Sequence, residues 1–233
     1  GIGEKNLRNA QLNPTAQTRS WKLREENFAS NDEFNPVVCG RLRRNDICQI
    51  TDGAAGLVLV SDRWVNANHK AQSRIVGWGH STVGLGLQQK FERNKQSEFV
   101  MPHVRDAITA AFKRAQISGV DDLDVIEAHD CMTPSEYMAI DHFGITPPGQ
   151  SWQAVVGGDI ARDGRIPVNP GGGLIGGGHP VGATGARMLV DATKQVTGNA
   201  GDYQIENAQR VATLNIGGST ATTVSFIVEN ANS

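Results

Sequence analysis

The stretch LDVIEAHDCMTPSE, residues 123–136, decides the fold class of this chain. Leu123–Ala128 is a short apolar run of the kind that forms a buried strand. Thr133-Pro134-Ser135-Glu136 has the pattern of a capping box with proline in the first turn, which predicts the start of a helix. A strand that leads directly into a helix is typical of a layered α/β fold, in which ligands bind beyond the carboxyl ends of the strands.

The segments on both sides continue this alternation of strands and helices. Apolar residues at the i, i+3, i+4, i+7 spacing predict one helix over 103–116, and a second helix is predicted over 183–196. Ala54–Val60, which reads AAGLVLV, is continuously apolar and is predicted to be a fully buried strand. Further strands are predicted over residues 74–83, 210–216 and 222–228.

Composition excludes several classes of protein. The 233 residues carry 22 basic and 24 acidic side chains, a formal net charge of −2, so no basic block exists to neutralise nucleic-acid phosphates. No apolar run approaches the roughly 18 residues of a membrane span, and the amino end has no signal-peptide pattern. The three cysteines have no framework spacing, which favours free thiols in a reducing compartment, and we expect a cytoplasmic location.

The amino-terminal part differs in character from the rest. Residues 1–47 are polar and weakly periodic, and the Asn-Pro pairs at 13–14 and 35–36 predict turns. We therefore expect a loop or connecting arm over residues 1–47 and one domain over residues 48–233. The basic cluster at 41–44 is interpreted as a solvated face or as a surface for an anionic ligand.

The first candidate site is His129-Asp130-Cys131, at the predicted carboxyl end of a strand and just before a helix. The amino terminus of a helix favours a thiolate, so Cys131 is a candidate acid or base near neutral pH. The alternative is that Cys131 is a small buried residue and His129 a hydrogen-bonded core histidine. Position in the chain leaves both interpretations open.

The second candidate is the glycine-rich stretch 169–180, which reads NPGGGLIGGGHP and contains His179. Glycines allow the backbone to approach a ligand or another strand closely. Residues 171–176 match G-x-G-x-x-G, but no strand leads into them and Pro180 interrupts the expected helix, so we exclude a dinucleotide site. A tight turn would explain the glycines, although not the ionisable group among them.

The remaining signals are weaker. The Gly217 and Gly218 N–H groups, after the predicted strand 210–216, are candidate oxyanion donors, although a hairpin turn explains them as well. No metal is expected, because Cys39 and Cys48 have no partner pair and three further histidines lack ligand spacing. Those histidines are His69, His80 and His103.

Taken together, these motifs resemble the thiolase superfamily, and specifically thiolases of the sterol-carrier-protein type. His129-Asp130-Cys131-Met132 is similar to the His-Asp-Cys-Phe signature of that subfamily. Gly178-His179-Pro180, followed by Gly182-Ala183-Thr184-Gly185, is similar to the family's histidine block. The stretch 48–55 resembles the entry into the carboxy-terminal half, and Asn215-Ile216-Gly217-Gly218 stands where other thiolases have Cys-x-Gly.

The resemblance implies a fold and a set of roles. The fold is the carboxy-terminal half of a thiolase, with helices layered on a mixed sheet and part of the preceding loop region. His179 is the base that activates a cysteine nucleophile, and Cys131 is the second acid or base, since Asn215 replaces the usual cysteine. The resemblance also implies that His129 and His179 donate to the thioester oxygen in one oxyanion hole and that the Gly217 N–H helps to form a second one. Contacts with coenzyme A are implied for Cys48, Met132 and Gly172.

The resemblance also implies a missing partner. A thiolase subunit has two similar halves, and the nucleophilic cysteine belongs to the amino-terminal half, which none of the three cysteines here matches. We expect an acyltransferase that cleaves 3-ketoacyl-CoA or condenses acyl-CoA, with acyl-CoA as substrate and no permanently bound cofactor. The expected partners are an amino-terminal half, on the same precursor or a separate chain, and further copies in an oligomer.

Two alternatives remain at this stage. The chain could be a non-catalytic subunit that binds acyl-CoA in a heteromeric complex, although the presence of His129, Cys131 and His179 together argues against a pure scaffold. A decarboxylating ketosynthase would also use one cysteine and two histidines, but the His-Asp-Cys order fits it less well. The implied metabolic role is in lipid metabolism, such as fatty acid breakdown.

Overall fold

The computed structural model describes residues 1–68 and 71–231, so His69 lies outside the described residues. Its centre is a four-stranded mixed sheet. The strands are β3 (Ser73–Thr82), β4 (Val125–Ala128), β5 (Arg210–Gly217) and β6 (Thr222–Asn230). They lie in the order β3-β6-β5-β4. The parallel pair is β4 with β5, whereas β6 is antiparallel to both of its neighbours.

Helices cover both faces of this sheet. The helices are α1 (Ile2–Ala10), α2 (Asp62–Asn68), α3 (Leu87–Asn94), α4 (Pro102–Ala115), α5 (Thr133–Phe143), α6 (Ser151–Gly157), α7 (Gly173–Gly177) and α8 (Thr184–Val196). On one face, α4 packs its apolar stripe against the strands through Val104, Ile108 and Phe112. On the other face, α8 packs through Ala192 and Val196.

Glycine permits the close contact between α4 and the edge strand β3. A side chain at Gly79 would overlap the carbonyl of Ala107, and one at Gly77 would overlap that of Ala111. The helix backbone therefore lies directly on the strand, which a residue with Cβ would prevent. A small separate hairpin, β1 (Val37–Cys39) with β2 (Leu42–Arg43), completes the strands.

The structure confirms most of the predicted elements. The predicted helices at 103–116 and 183–196 are α4 and α8, and the predicted strands after residue 60 are β3, β5 and β6. The α/β class with helices on a mixed sheet is confirmed. Within the described residues, none of the helices is long and apolar enough to cross a bilayer.

The strand predicted over Ala54–Val60 is wrong. These residues have no regular secondary structure, and Val58 is 89 % exposed. An apolar run becomes a buried strand only where another strand and an apolar layer receive it. No segment within residues 1–68 and 71–231 does so.

Two local expectations also differ from the structure. Residues 1–47 include α1, which buries Ile2, Leu7 and Ala10, although the division at residue 47 stays a prediction. The capping box before α5 does not form, because Met132 is the N-cap and makes no side-chain capping bond. Glu136 is instead fully buried.

Candidate active site

Two histidines lie side by side at the carboxyl end of β4. His129 directly follows that strand, and His179 lies in the turn between α7 and α8. Their ring centroids are 5.2 Å apart and the rings are nearly perpendicular, at 88°. The two motifs that the sequence singled out therefore meet in one site.

The surroundings of His179 determine which ring nitrogen carries its proton. Nδ1 lies 2.7 Å from the Thr184 hydroxyl, which donates its single hydrogen to the Pro180 carbonyl at 3.1 Å. The Thr184 oxygen can then only accept from His179, so Nδ1 is protonated and Nε2 holds a lone pair. Burial, and secondarily the charge of Arg187, lowers the pKa of His179, so the ring is a neutral base near pH 7.

His129 is also neutral. Burial, followed by His179 and Arg187, lowers its pKa to about 4. Its Nδ1 is buried, and no described residue provides it with a hydrogen-bond partner. The other ring nitrogen, Nε2, is therefore the one that can reach a substrate. Two neutral imidazoles in contact can act as a base and as a hydrogen-bond donor.

The segment around Cys48 connects the two histidine motifs. The Cys48 N–H donates to the Cys131 carbonyl at 3.0 Å, and the His179 N–H donates to the Thr51 hydroxyl at 3.0 Å. Ile50 forms an isolated parallel bridge with His179. Beside this segment, an open groove of about 430 Å³ runs between residues 51–55 and 180–186. Pro180, the residue after His179, lines this groove.

The thiols in this region differ in their surroundings. Cys131 lies at the start of α5, with its Sγ 3.7 Å from the Ser135 hydroxyl. Burial, followed by the charges of Cys131 and Asp130, raises the pKa of the Cys48 thiol to about 11. Cys48 is therefore a protonated thiol at neutral pH, which favours a packing or ligand-contact role over a nucleophilic one.

Asp130 anchors the glycine-rich turn to the end of β4. Its carboxylate accepts from the backbone N–H groups of Leu174, at 2.5 Å, and Ile175, at 3.2 Å. A side chain at Gly173 would overlap this carboxylate, and Gly173 has a positive φ of 59°. The glycine is thus required by both the backbone conformation and the close approach.

Sequence reasoning missed the contribution of α1 to the site. Asn6 donates to the carboxylates of Asp130, at 2.7 Å, and Glu136, at 2.6 Å. Asn9 donates to the Asn169 carbonyl at 3.0 Å, and the next asparagine on this side, Asn13, donates to Gly171 at 3.0 Å. The spacing of these three asparagines, i, i+3 and i+7, is the signal that would have indicated one buried polar face.

Lys5 completes this buried network. Its ammonium lies 3.0 Å from Glu136 and donates to the Val168 carbonyl at 2.6 Å. Asn169, which has a positive φ of 55°, donates to Glu136 at 2.7 Å and accepts from the Ala128 N–H at 2.9 Å. The back of the site is thus held by buried, paired polar groups, which is the arrangement that makes a site rigid.

The other predicted site residues lie further out. Asn215 lies beside Gly185 at the first turn of α8, and its amide contacts the Met188 sulfur at 3.0 Å. Gly217 is exposed at the end of β5, and Met132 is 40 % exposed. Gly172 is buried against Ala10, and this close packing explains why the residue is a glycine. Contact of Gly172 with a ligand stays a prediction.

The remaining candidates have structural partners. His103 bonds to the Thr220 carbonyl at 2.7 Å, and His80 lies 3.1 Å from the Thr82 hydroxyl. In the basic cluster, Arg43 pairs with Asp32 at 2.7 Å. Among the described residues, no group of histidine, cysteine and carboxylate side chains could hold a metal ion.

Residues 87–230, more than half of the chain, match the family of thiolase C-terminal domain-like sequences. The chain belongs to the thiolase superfamily. What is present is the C-terminal half of the thiolase fold. Both histidine motifs and three of the four strands of the mixed sheet, β4, β5 and β6, fall within the matched residues.

Known thiolase relatives place this half in longer proteins. The chain is 30% identical over 217 residues to sterol carrier protein 2 of Homo sapiens, covering 93% of this chain and 38% of that protein. It is 31% identical over 217 residues to acetyl-CoA acetyltransferase of Methanothermobacter thermautotrophicus, covering 93% of this chain and 54% of that protein. The chain therefore spans about half or less of these relatives.

A solved structure shares the fold over the whole chain. The Ltp2-ChsH2(DUF35) aldolase superposes with a TM-score of 0.78 at 17% identity, covering 100% of this chain and 58% of that one. At this identity the likeness concerns the fold alone. It includes the part of the chain before residue 87.

Proposed function

We propose that this chain is the carboxy-terminal half of a thiolase-type acyltransferase and that it supplies the base, a proton donor and oxyanion donors. The observation that carries the proposal is the paired site, with His179 holding a lone pair on Nε2 and His129 5.2 Å away. The substrate would be a 3-ketoacyl-CoA with coenzyme A, or two acyl-CoA molecules in the reverse direction. Coenzyme A enters as substrate and not as a resident cofactor.

In thiolysis, His179 Nε2 takes the proton from a cysteine thiol of the amino-terminal half. The thiolate attacks the 3-keto carbonyl, and the developing oxyanion accepts hydrogen bonds from donors such as the Gly217 N–H. The bond between C2 and C3 breaks, and Cys131 gives a proton to the acetyl-CoA carbanion. A coenzyme A thiol then loses its proton to Cys131 and displaces the acyl group from the nucleophile, with the thioester oxygen held by His129.

The nucleophile is proposed to lie outside this chain. Cys48 remains a protonated thiol, Cys39 is exposed in the β1–β2 hairpin, and Cys131 is assigned to proton transfer. The stretch Ala54–Val60 supports a missing half, because its large apolar side chains, Leu57 to Val60, are exposed in the described chain. The relatives' greater length agrees with this proposal.

An exposed tryptophan on the edge strand β3 also supports a missing amino-terminal half. Trp78 on β3 lies opposite Phe226 of β6, on the side of the sheet that α8 covers only in part. The Arg114 guanidinium lies 5.1 Å from the centre of its ring, and the side chain is still 51 % exposed. An exposed apolar face of this kind marks a contact surface. We propose that the amino-terminal half covers it. Oligomerisation, the cytoplasmic location and a role in fatty acid breakdown stay predictions.

The test is acyl-CoA labelling of the intact protein, including any upstream segment or companion chain, followed by mass mapping of the adduct. We expect the stable acyl group on a cysteine outside these 233 residues. His179→Asn should abolish that acylation, whereas Thr82→Val, on the exposed end of β3, should leave it unchanged. Stable acylation of Cys131, or normal acylation in the His179 variant, would refute the assigned roles.

Aldol cleavage is a second candidate, because within the described residues the site holds a base without an activated nucleophile. The solved structural neighbour is described as an aldolase, although its likeness to this chain concerns only the fold. A base that removes a hydroxyl proton suffices for that reaction. Turnover of a 3-hydroxyacyl-CoA without any acyl-cysteine would favour this candidate, and absence of both activities would favour a binding subunit.

A further inference from the structure

Glu127 is a fully buried carboxyl group without a hydrogen-bond partner. It has no exposed surface, and neither of its oxygens bonds to any described residue. It lies on β4 two residues before His129. Because Val125 of the same strand packs in the cluster under α8, residue 127 faces that helix too. Buried carboxyls of this kind are rare and call for a physical explanation.

Several other unpartnered polar atoms face the same layer between β4, β5 and α8. Thr213 lies directly across from Glu127 in the parallel pair, and its hydroxyl is unpartnered within the described chain. Arg187 on α8 has buried Nε and Nη2 groups without acceptors, and His129 has a buried Nδ1 without a donor. The set contains donors, acceptors and a hydroxyl that can act as either.

Ordered water is the simplest partner for such a set. Buried waters occupy polar sites where two to four groups converge, and they satisfy atoms that the protein leaves unpaired. Direct rearrangement is restricted, because Arg187 Nη1 is already held by Asp191 at 2.7 Å, and Asp191 also accepts from the Tyr203 hydroxyl at 3.2 Å. Glu127 precedes His129 by two residues, so the alternation of the strand directs both side chains to the same side.

The charges around Glu127 indicate its protonation state. The groups that act on it are Asp191 and Arg187 from α8, Asp130 from the end of β4, and Lys5 from α1. Both cations among these groups are already paired, Arg187 with Asp191 and Lys5 with Glu136, so neither is left to balance a second buried carboxylate. Burial, followed by the charge of Asp191, raises the pKa of Glu127 to about 8.

The protonation state of Glu127 would decide the role of His129. An ionised Glu127 would accept a hydrogen bond from the His129 ring, directly or through water. The proton of that ring would then lie on Nδ1, and its Nε2 would be left as a base. A protonated carboxyl can donate, and then Nδ1 accepts and Nε2–H points toward the substrate. We propose that Glu127 is a positioning residue, kept protonated, that holds His129 through buried water as the Nε2–H tautomer.

This inference rests on the proposed function and deepens it, because it gives the two histidines different tasks. His179 has its proton on Nδ1, fixed by Thr184, and is the base. His129 would have its proton on Nε2 and would donate to the oxyanion. The two imidazole rings thus differ in function because different groups contact their Nδ1 atoms.

The kinetic test compares Glu127→Gln with Glu127→Leu in the intact protein. Glutamine is neutral and can still donate, so kcat should stay within about threefold of wild type. Leucine cannot donate, and kcat should fall toward the roughly hundredfold loss expected for one oxyanion donor, with KM nearly unchanged. Thr223→Val, at a buried unpartnered hydroxyl on the other face of the sheet, is the matched control and should leave kcat unchanged.

A spectroscopic readout separates this inference from the proposed function. The Cδ2 carbon shift of ¹³C-labelled His129, assigned by its loss in His129→Gln, reports the tautomer whether or not the protein turns over. We expect the Nε2–H form in wild type and in Glu127→Gln, and its loss in Glu127→Leu. An Nδ1–H tautomer in wild type, or a large kcat loss in Glu127→Gln, would overturn the inference.

Discussion

Two stretches that the sequence predicts to be strands behave differently in this chain. The strand β5 is buried between α4 and α8, with Leu214 fully buried, whereas Ala54–Val60 has no regular structure and exposes Val58 to 89 %. The strands and helices that bury β5 all lie within the described residues, whereas no described strand pairs with Ala54–Val60. Apolar composition therefore indicates that a segment must be buried, but not what buries it.

The same contrast separates the two sides of the candidate site. The back of the site is closed by contacts within this chain, from α1, β4 and the glycine-rich turn. The groove on the other side, beside residues 51–55, is open. The two sides should therefore differ in their sensitivity to mutation.

The largest effect is expected for Val58→Asp in the intact protein. If an amino-terminal half covers Ala54–Val60, as proposed, an unpaired charge there should lower the free energy of unfolding by about 3–5 kcal/mol. Val156→Asp is the control, because Val156 on α6 is also 79 % exposed. Chemical denaturation is the measurement, and equal small effects of the two variants would contradict burial of this stretch.

A second prediction concerns pH and sharpens the picture of a buried, neutral site. With a pKa of about 4 in the folded chain and 6.5 unfolded, His129 binds fewer protons when folded, so its contribution to stability falls as pH falls from 6.5 toward 4. Burial raises the pKa of Glu127 and of Asp130, which acts in the opposite direction over this range, so the quantity to compare is the pH dependence of wild type and of His129→Gln. In urea unfolding, wild type should lose about 2–3 kcal/mol relative to that variant between pH 7 and pH 4.5. An equal pH dependence of the two proteins would contradict the prediction.

Gly173→Ala tests the anchoring of the turn to Asp130. The positive φ of 59° and the overlap of a Cβ with the carboxylate should lower stability by about 2 kcal/mol. Gly182→Ala is the matched control, since nothing lies within 4 Å of that position. Thermal melting of the intact protein compares the two. Equal melting temperatures would show that the turn can relax without this contact.

The smallest effect is expected at Thr184. Thr184→Val keeps the shape but removes the oxygen that accepts from His179 Nδ1, so kcat should fall by about tenfold, by analogy with partners that orient other functional histidines. KM should change little, and Thr184→Ser should restore the rate. If Thr184→Val has the same rate as wild type, a group other than Thr184 determines the tautomer of His179.

Much of the fold was predictable because it follows from local patterns. The apolar spacing of α4 and the runs of β5 and β6 each report a buried face directly, and the structure confirms them. Glu136 shows where local rules fail, since its capping-box position is overridden by Asn6, Asn169 and Lys5, which are far away in the sequence. A tertiary network that buries a carboxylate outweighs one capping bond.

Sequence alone was enough to single out the residues proposed to carry the chemistry, because His129-Asp130-Cys131 and the stretch around His179 are distinctive in type and spacing. Their arrangement in space came from the structure. It places the two rings 5.2 Å apart, ties Asp130 to the glycine-rich turn, and leaves Glu127 buried behind His129. The physical reason is that tautomers and pKa values depend on burial and on partners brought together from distant parts of the chain, which spacing along the sequence does not encode.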